Sequence, residues 1–100
     1  MRRFLITYHG VALPEDPAQM RQGEAAFGRW VAGAGDAIVD PGAPLQMVTQ
    51  VARDGAAETV EIVGYTIIQA NDGDAAAAVL SSHPWVARGG TLQVNQILEA

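Results

Sequence analysis

Residues 3–9 alternate, with Phe4, Ile6 and Tyr8 toward one side and Leu5, Thr7 and His9 toward the other. A period of two filled with β-branched and aromatic types predicts a strand. Both sides carry sizeable apolar groups, as in a strand covered on two faces. Pro14 and Pro17 lack the N–H that a ladder or helix interior needs, so residues 10–17 read as a loop. From residue 18 to about 34 the spacing becomes helical: Met20, Gly23, Phe27, Trp30 or Val31, and Ala34 recur on one face. Arg21, Gln22, Glu24 and Arg29 fall toward water. Asp16 is placed to cap this helix, with Pro17 at its first position, Gln19 at the capping-box position and Gly35 to end it.

Residues 37–39 form a short β-type run that the Asp40-Pro41-Gly42-Ala43-Pro44 stretch breaks, predicting a short or edge strand. Residues 46–53 alternate again, and Asp54-Gly55 is a hairpin signal before a long strand over 59–70. In that strand Ile62, Gly64, Thr66 and Ile68 oppose Val63, Tyr65 and Ile67, the densest apolar β pattern in the chain, which predicts a central position buried on both faces. Gly64 leaves room for an aromatic ring from a neighbouring strand or chain. Asn71 is placed to cap the next helix with Asp74 three residues on, and Ala76, Val79, Leu80 and His83 line one face until Pro84 stops it. Gly89-Gly90 makes a turn into a last strand over 91–98 whose second face mixes Thr91, Gln93, Asn95 and Ile97.

This succession is the β-α-β-β-α-β order of a ferredoxin-like α+β domain, a single domain over residues 1–100. Its helices cover one face of the sheet, and something else must bury the other. The apolar residues on both faces of the first and third principal strands point to a second copy of the chain, a homodimer with facing sheets. The alternative is a monomer whose open face is capped by residues 41–58.

Composition narrows the function classes. Six basic against eleven acidic residues, with no basic run, argue against a nucleic-acid partner. The absence of cysteine removes disulfides, thiolate nucleophiles and cysteine-based metal sites. No apolar run approaches membrane-spanning length, and the FLITY run after two arginines is too short for a signal peptide, so the expected location is cytoplasmic and no membrane partner is expected. No phosphate-cradling glycine motif occurs, and the two histidines lack ligand spacing, so neither a cofactor nor a metal is expected.

His83 is the main candidate for chemistry. Behind the C-terminal end of a helix, its protonated form would be favoured and its pKa would lie near neutrality, the tuning a general acid or base needs. A satisfied histidine at a helix cap is the competing reading. Asp40 is the carboxylate to pair with a histidine, although an Asx turn at its Asp-Pro-Gly corner accounts for it equally well. His9 ends the first strand, where its ring would enter the same cavity or be solvated; Tyr8 points to the opposite face, so the two do not share a site. Tyr65 needs a partner for its hydroxyl and is a candidate substrate contact, as is Trp85 beside His83-Pro84.

The segment GYTIIQANDGDAAAAVLSSHPWVARGGTLQVNQILE, residues 64–99, resembles the C-terminal half of YCII-related domains, including their DGPF subgroup, and RFLITYHG at 3–10 is similar to that family's opening strand. The resemblance implies a dimeric α+β barrel on the ferredoxin-like fold. In some relatives a histidine–aspartate dyad in a cleft is the proposed catalytic feature, and one branch acts on chlorinated aromatic ring intermediates. Here His83 precedes Pro84 where many relatives carry aspartate, the first helix has no histidine, and 60–63 replaces the Asp-Gly-Pro-Phe run. The functional expectation is a cofactor-free enzyme, a lyase, isomerase or hydrolase acting by general acid–base chemistry on a small polar or aromatic metabolite, with His83 moving a proton and Asp40 or Tyr65 orienting it. The alternative is a non-catalytic dimeric module that binds a metabolite or a protein, and a cofactor-independent monooxygenase is a third possibility by fold analogy alone.

Overall fold

The computed structural model describes residues 1–99. Strand β1 (Arg2–His9) leads through a loop to helix α1 (Pro17–Ala34), a short 3₁₀ turn (Gly35–Ala37) and strand β2 (Ile38–Pro44). After residues 45–63 come β3 (Gly64–Ala70), helices α2 (Gly73–Leu80) and α3 (Pro84–Ala87), and β4 (Thr91–Gln96). The strands form one sheet in the order β2-β3-β1-β4, every neighbouring pair antiparallel. This order fits a ferredoxin-like α+β domain, with α3 added between α2 and the last strand.

Local chemistry sets the helix ends. The Asp16 carboxylate accepts from the Ala18 N–H at 3.1 Å, Pro17 opens α1, and Gly35 closes it with φ of 57°, its N–H returning to the Val31 carbonyl. For α2 the capping residue is Asp72 rather than Asn71: its side chain accepts from the Ala75 N–H at 2.8 Å. The Asp72 carboxylate and Asp74 in the first turn both place negative charge at the positive end of the helix.

The helices pack on the face of β1 and β3 that carries Phe4, Ile6, Tyr8, Thr66, Ile68 and Ala70, closed by Trp30, Ala76, Leu80 and Trp85. Full burial of a side chain such as Ile6 or Ile68 stabilises the fold by roughly 1.5–3 kcal/mol. Trp30 also ties α1 to α2, donating its indole N–H to the Val79 carbonyl at 3.3 Å.

The other face of the sheet is only partly covered, with Thr7 its one buried residue among the strand residues described. Leu5, His9, Tyr65, Ile67 and Gln69 on that side are half-buried, so β3 is buried on one face and not on both as its sequence pattern predicts. Residues 45–61 are all exposed, Val48 at 89% and Val51 at 96%, and lay no buried side chain on that face.

Two strand expectations are corrected. Residues 46–53 and 59–63 form no strand; the 45–63 stretch returns on itself through a turn at Gly55, held by the Gln50 side chain, which bonds both the N–H and the carbonyl of Ala57. Strand β2, conversely, is not broken by Asp40-Pro41-Gly42-Ala43-Pro44 but runs through it, shifting register on each side of Asp40. The run is compatible with pairing because β2 is an edge strand and Gly42 takes φ of 79°, where a Cβ would collide with the Tyr65 carbonyl.

Candidate functional site

Tyr8 comes up from the end of β1 on the helix side of the sheet, its ring beside Gly64, where a Cβ would stand in ordinary contact with it at 3.5 Å. The Tyr8 hydroxyl lies 2.7 Å from His83 Nε2 and 2.7 Å from the Thr66 hydroxyl. His83 itself is 2% exposed, ringed by Tyr8, Phe27 and Trp30, the Trp30 ring centroid 4.3 Å away.

The position of His83 differs from its sequence reading. Helix α2 stops at Leu80, and His83 is the N-cap of α3: its Nδ1 accepts from the Trp85 N–H at 2.9 Å. It therefore meets the donor end of a helix and not the carboxyl end, and nothing there favours imidazolium. Burial pushes its pKa down to about 4, away from the near-neutral value expected of it.

The cap fixes the tautomer. With Nδ1 accepting, the proton of neutral His83 sits on Nε2 and is donated to the Tyr8 oxygen. Thr66 donates its own proton to the Pro41 carbonyl at 2.9 Å, so Tyr8 donates to Thr66. A one-directional chain results, Trp85 N–H to His83, His83 to Tyr8, Tyr8 to Thr66 and Thr66 to Pro41, which joins α3, β1, β3 and β2. Burial raises the Tyr8 pKa above its ordinary value, so the phenol keeps its proton.

Tyr8, His83 and Trp85 form part of the wall of a largely apolar cavity of about 340 Å³, whose other sides come from Leu13, Phe27, Val63 and the Pro41–Pro44 corner of β2, with Glu24 and Arg88 the exposed charged residues on its lining. A larger concavity of about 630 Å³ between α1 and α2 has Arg29 as its sole titratable side chain.

Of the remaining candidates, Tyr65 borders the same cavity although its hydroxyl turns away to Asp40, and Asp40 and His9 are not on the lining. Asp40 makes the Asx turn at its corner, accepting from the Gly42 N–H at 2.8 Å, and takes the Tyr65 hydroxyl at 3.3 Å. These two lie on the open face of the sheet, Tyr65 opposite Thr7 in the register. His9 is on that face too, donating from Nδ1 to the Glu61 carbonyl at 2.9 Å and accepting the Thr7 hydroxyl on Nε2 at 2.7 Å. The expected His83–Asp40 pair is therefore not formed; the sheet separates them, and His9 does not enter the His83 cavity. Trp85 does, its indole N–H donated to the His9 carbonyl at 2.9 Å, with Gly90 supplying the space its ring occupies.

Tyr8 was absent from the sequence-predicted site. It is 75 residues from His83, and the signal available was the glycine at 64, which marks where a ring packs. No group of three or more metal-ligating side chains converges among the described residues, and no helix there is long and apolar enough to cross a membrane. No protein-family model, curated protein or solved structure matches this chain.

Proposed function

We propose that this chain is a YCII-like binding protein that works as a homodimer and holds a small, largely apolar metabolite in the cavity beside Tyr8 and His83. The cavity carries the reading: it is of ligand size, mostly apolar, and its polar wall is held rigid by the hydrogen-bond chain from Trp85 to Pro41. The dimer rests on the open face, where their own chain leaves Leu5, Tyr65 and Ile67 only half-buried. The fixed tautomer and low pKa of His83 argue for a structural rather than a proton-carrying histidine, which favours binding over the acid–base enzyme.

Gly23 supplies the test. It lines the cavity, and a Cβ there meets nothing within 4 Å. Gly23→Leu should keep or raise stability, since leucine is a far better helix former, while filling the cavity. Small molecules that raise Tm of the wild-type protein in a thermal-shift screen are expected to lose that effect in the variant. A screen without hits, or hits that survive the leucine, would overturn the proposal.

A second reading keeps the chemistry and moves it to Tyr8. For this the Tyr8 O–H must turn from Thr66 to the substrate and give up its proton there, with His83 Nε2–H, 2.7 Å away, stabilising the oxygen left behind. In that reading Tyr8→Phe loses turnover and keeps ligand affinity. Equal turnover in the two proteins excludes it.

A further inference from the structure

Every fixed N–H and O–H of the Tyr8–His83–Trp85 wall is already used inside the protein. The Trp85 backbone N–H is given to His83, the Trp85 indole N–H to the His9 carbonyl, His83 Nε2–H to Tyr8, and the Tyr8 proton to Thr66. Across the cavity, Pro41 and Pro44 have no N–H, and that of Gly42 is taken by Asp40. One strong donor is left over. The Arg88 guanidinium, exposed at the end of α3, lies 5.3 Å above the Trp85 ring, and the single ion pair among the described residues, Arg53 with Asp54, does not involve it.

Resting on the binding function proposed above, we infer that the cavity takes an apolar or aromatic monocarboxylate, its ring or chain inside against Phe27, Leu13 and Val63 and its carboxylate at the mouth on Arg88. The Trp85 ring 5.3 Å from its Cζ keeps the guanidinium beside the cavity, no hydrogen bond from its N–H groups is formed within the described residues, and a guanidinium with free donors can take a carboxylate through two parallel hydrogen bonds. Glu24 is the other charged residue on the lining and has acceptors alone. It repels a second carboxylate, so the site selects for one negative charge.

Calorimetric titration with 2-naphthoate, its neutral isostere 2-naphthamide and 2,6-naphthalenedicarboxylate separates the parts of this inference. The monoacid is expected to bind at least about tenfold more tightly than the amide, the loss of one charge-assisted contact, and Arg88→Gln should erase that difference without weakening the amide. The diacid should bind more weakly than the monoacid and recover in Glu24→Gln. Equal affinity of acid and amide, or an unchanged acid affinity in Arg88→Gln, overturns the carboxylate preference and leaves the binding cavity standing. A diacid that binds as tightly as the monoacid overturns the selection by Glu24, and no binding of any of the three overturns this inference, the binding function itself being decided by the thermal-shift screen and Gly23→Leu.

Discussion

His83 Nε2 and the Tyr8 hydroxyl lie 2.7 Å apart in the core, joined across 75 residues of sequence, and the Trp85 N–H on the far side of the imidazole decides which of them donates. The histidine gives its proton to the tyrosine, and both side chains are uncharged at neutral pH. Loss of the tyrosine oxygen therefore exposes one particular defect.

Tyr8→Phe leaves the His83 Nε2–H buried without an acceptor and takes from Thr66 the proton it receives. The expected cost is about 1–3 kcal/mol, measured by urea denaturation. A change below about 0.5 kcal/mol would mean that the chain does not run in the direction assigned.

Stability should fall with acid in a defined window. The His83 pKa is about 4 in the folded protein against 6.5 for a free side chain, so between those values the unfolded chain takes up a proton that the folded one refuses. The contribution is fully present above pH 6.5, shrinks as pH falls toward 4 and levels off below it, a total on the order of 3 kcal/mol. Denaturation midpoints across pH 4–7 measure it, and His83→Gln should flatten the slope in that range. An equal slope in the variant would assign the acid sensitivity to other groups.

Gly42→Ala is expected to be among the most damaging single changes in the chain. The residue has φ of 79° and a methyl there meets the Tyr65 carbonyl, so β2 must leave the sheet or β3 must move. A loss of at least about 3 kcal/mol is expected, read as a large drop in Tm or in soluble yield. Gly55→Ala, with a similar φ and no neighbour in the way, should cost much less.

If two copies close over the open face, sedimentation should give twice the 10.5 kDa of one chain. Ile67→Arg, a charge placed at the centre of that face, should return the mass to one chain and leave the far-ultraviolet circular dichroism unchanged. A wild-type protein that sediments as one chain at micromolar concentration would overturn the homodimer.

The sequence disclosed the elements that local chemistry dictates. The alternation at 3–9, the Asp16-Pro17 start, the Gly35 stop and the β pattern at 64–70 all lie where the structure puts them, because each is decided within a few residues. It misplaced what depends on distant partners. Residues 46–53 alternate as a strand does, yet the sheet ends at β2 and offers them no ladder. The sequence places His83 at the end of one helix, but Pro84 makes it the start of another, and its burial among distant aromatic rings, which no local pattern shows, is what lowers its pKa. Asp40 and His83 looked like partners by residue type, but the pleat that sends Tyr65 and Thr66 to opposite faces puts a sheet between them.

The two borders of the sheet are unequal. On one, Pro41 and Pro44 withhold donors and the register slips twice, so another strand meets a ragged margin and cannot dock along it. On the other, Thr91–Gln96 is straight in register with β1 and free of proline. Any lengthening of the sheet by an outside peptide, whether a functional guest or the first contact of an aggregate, would start there.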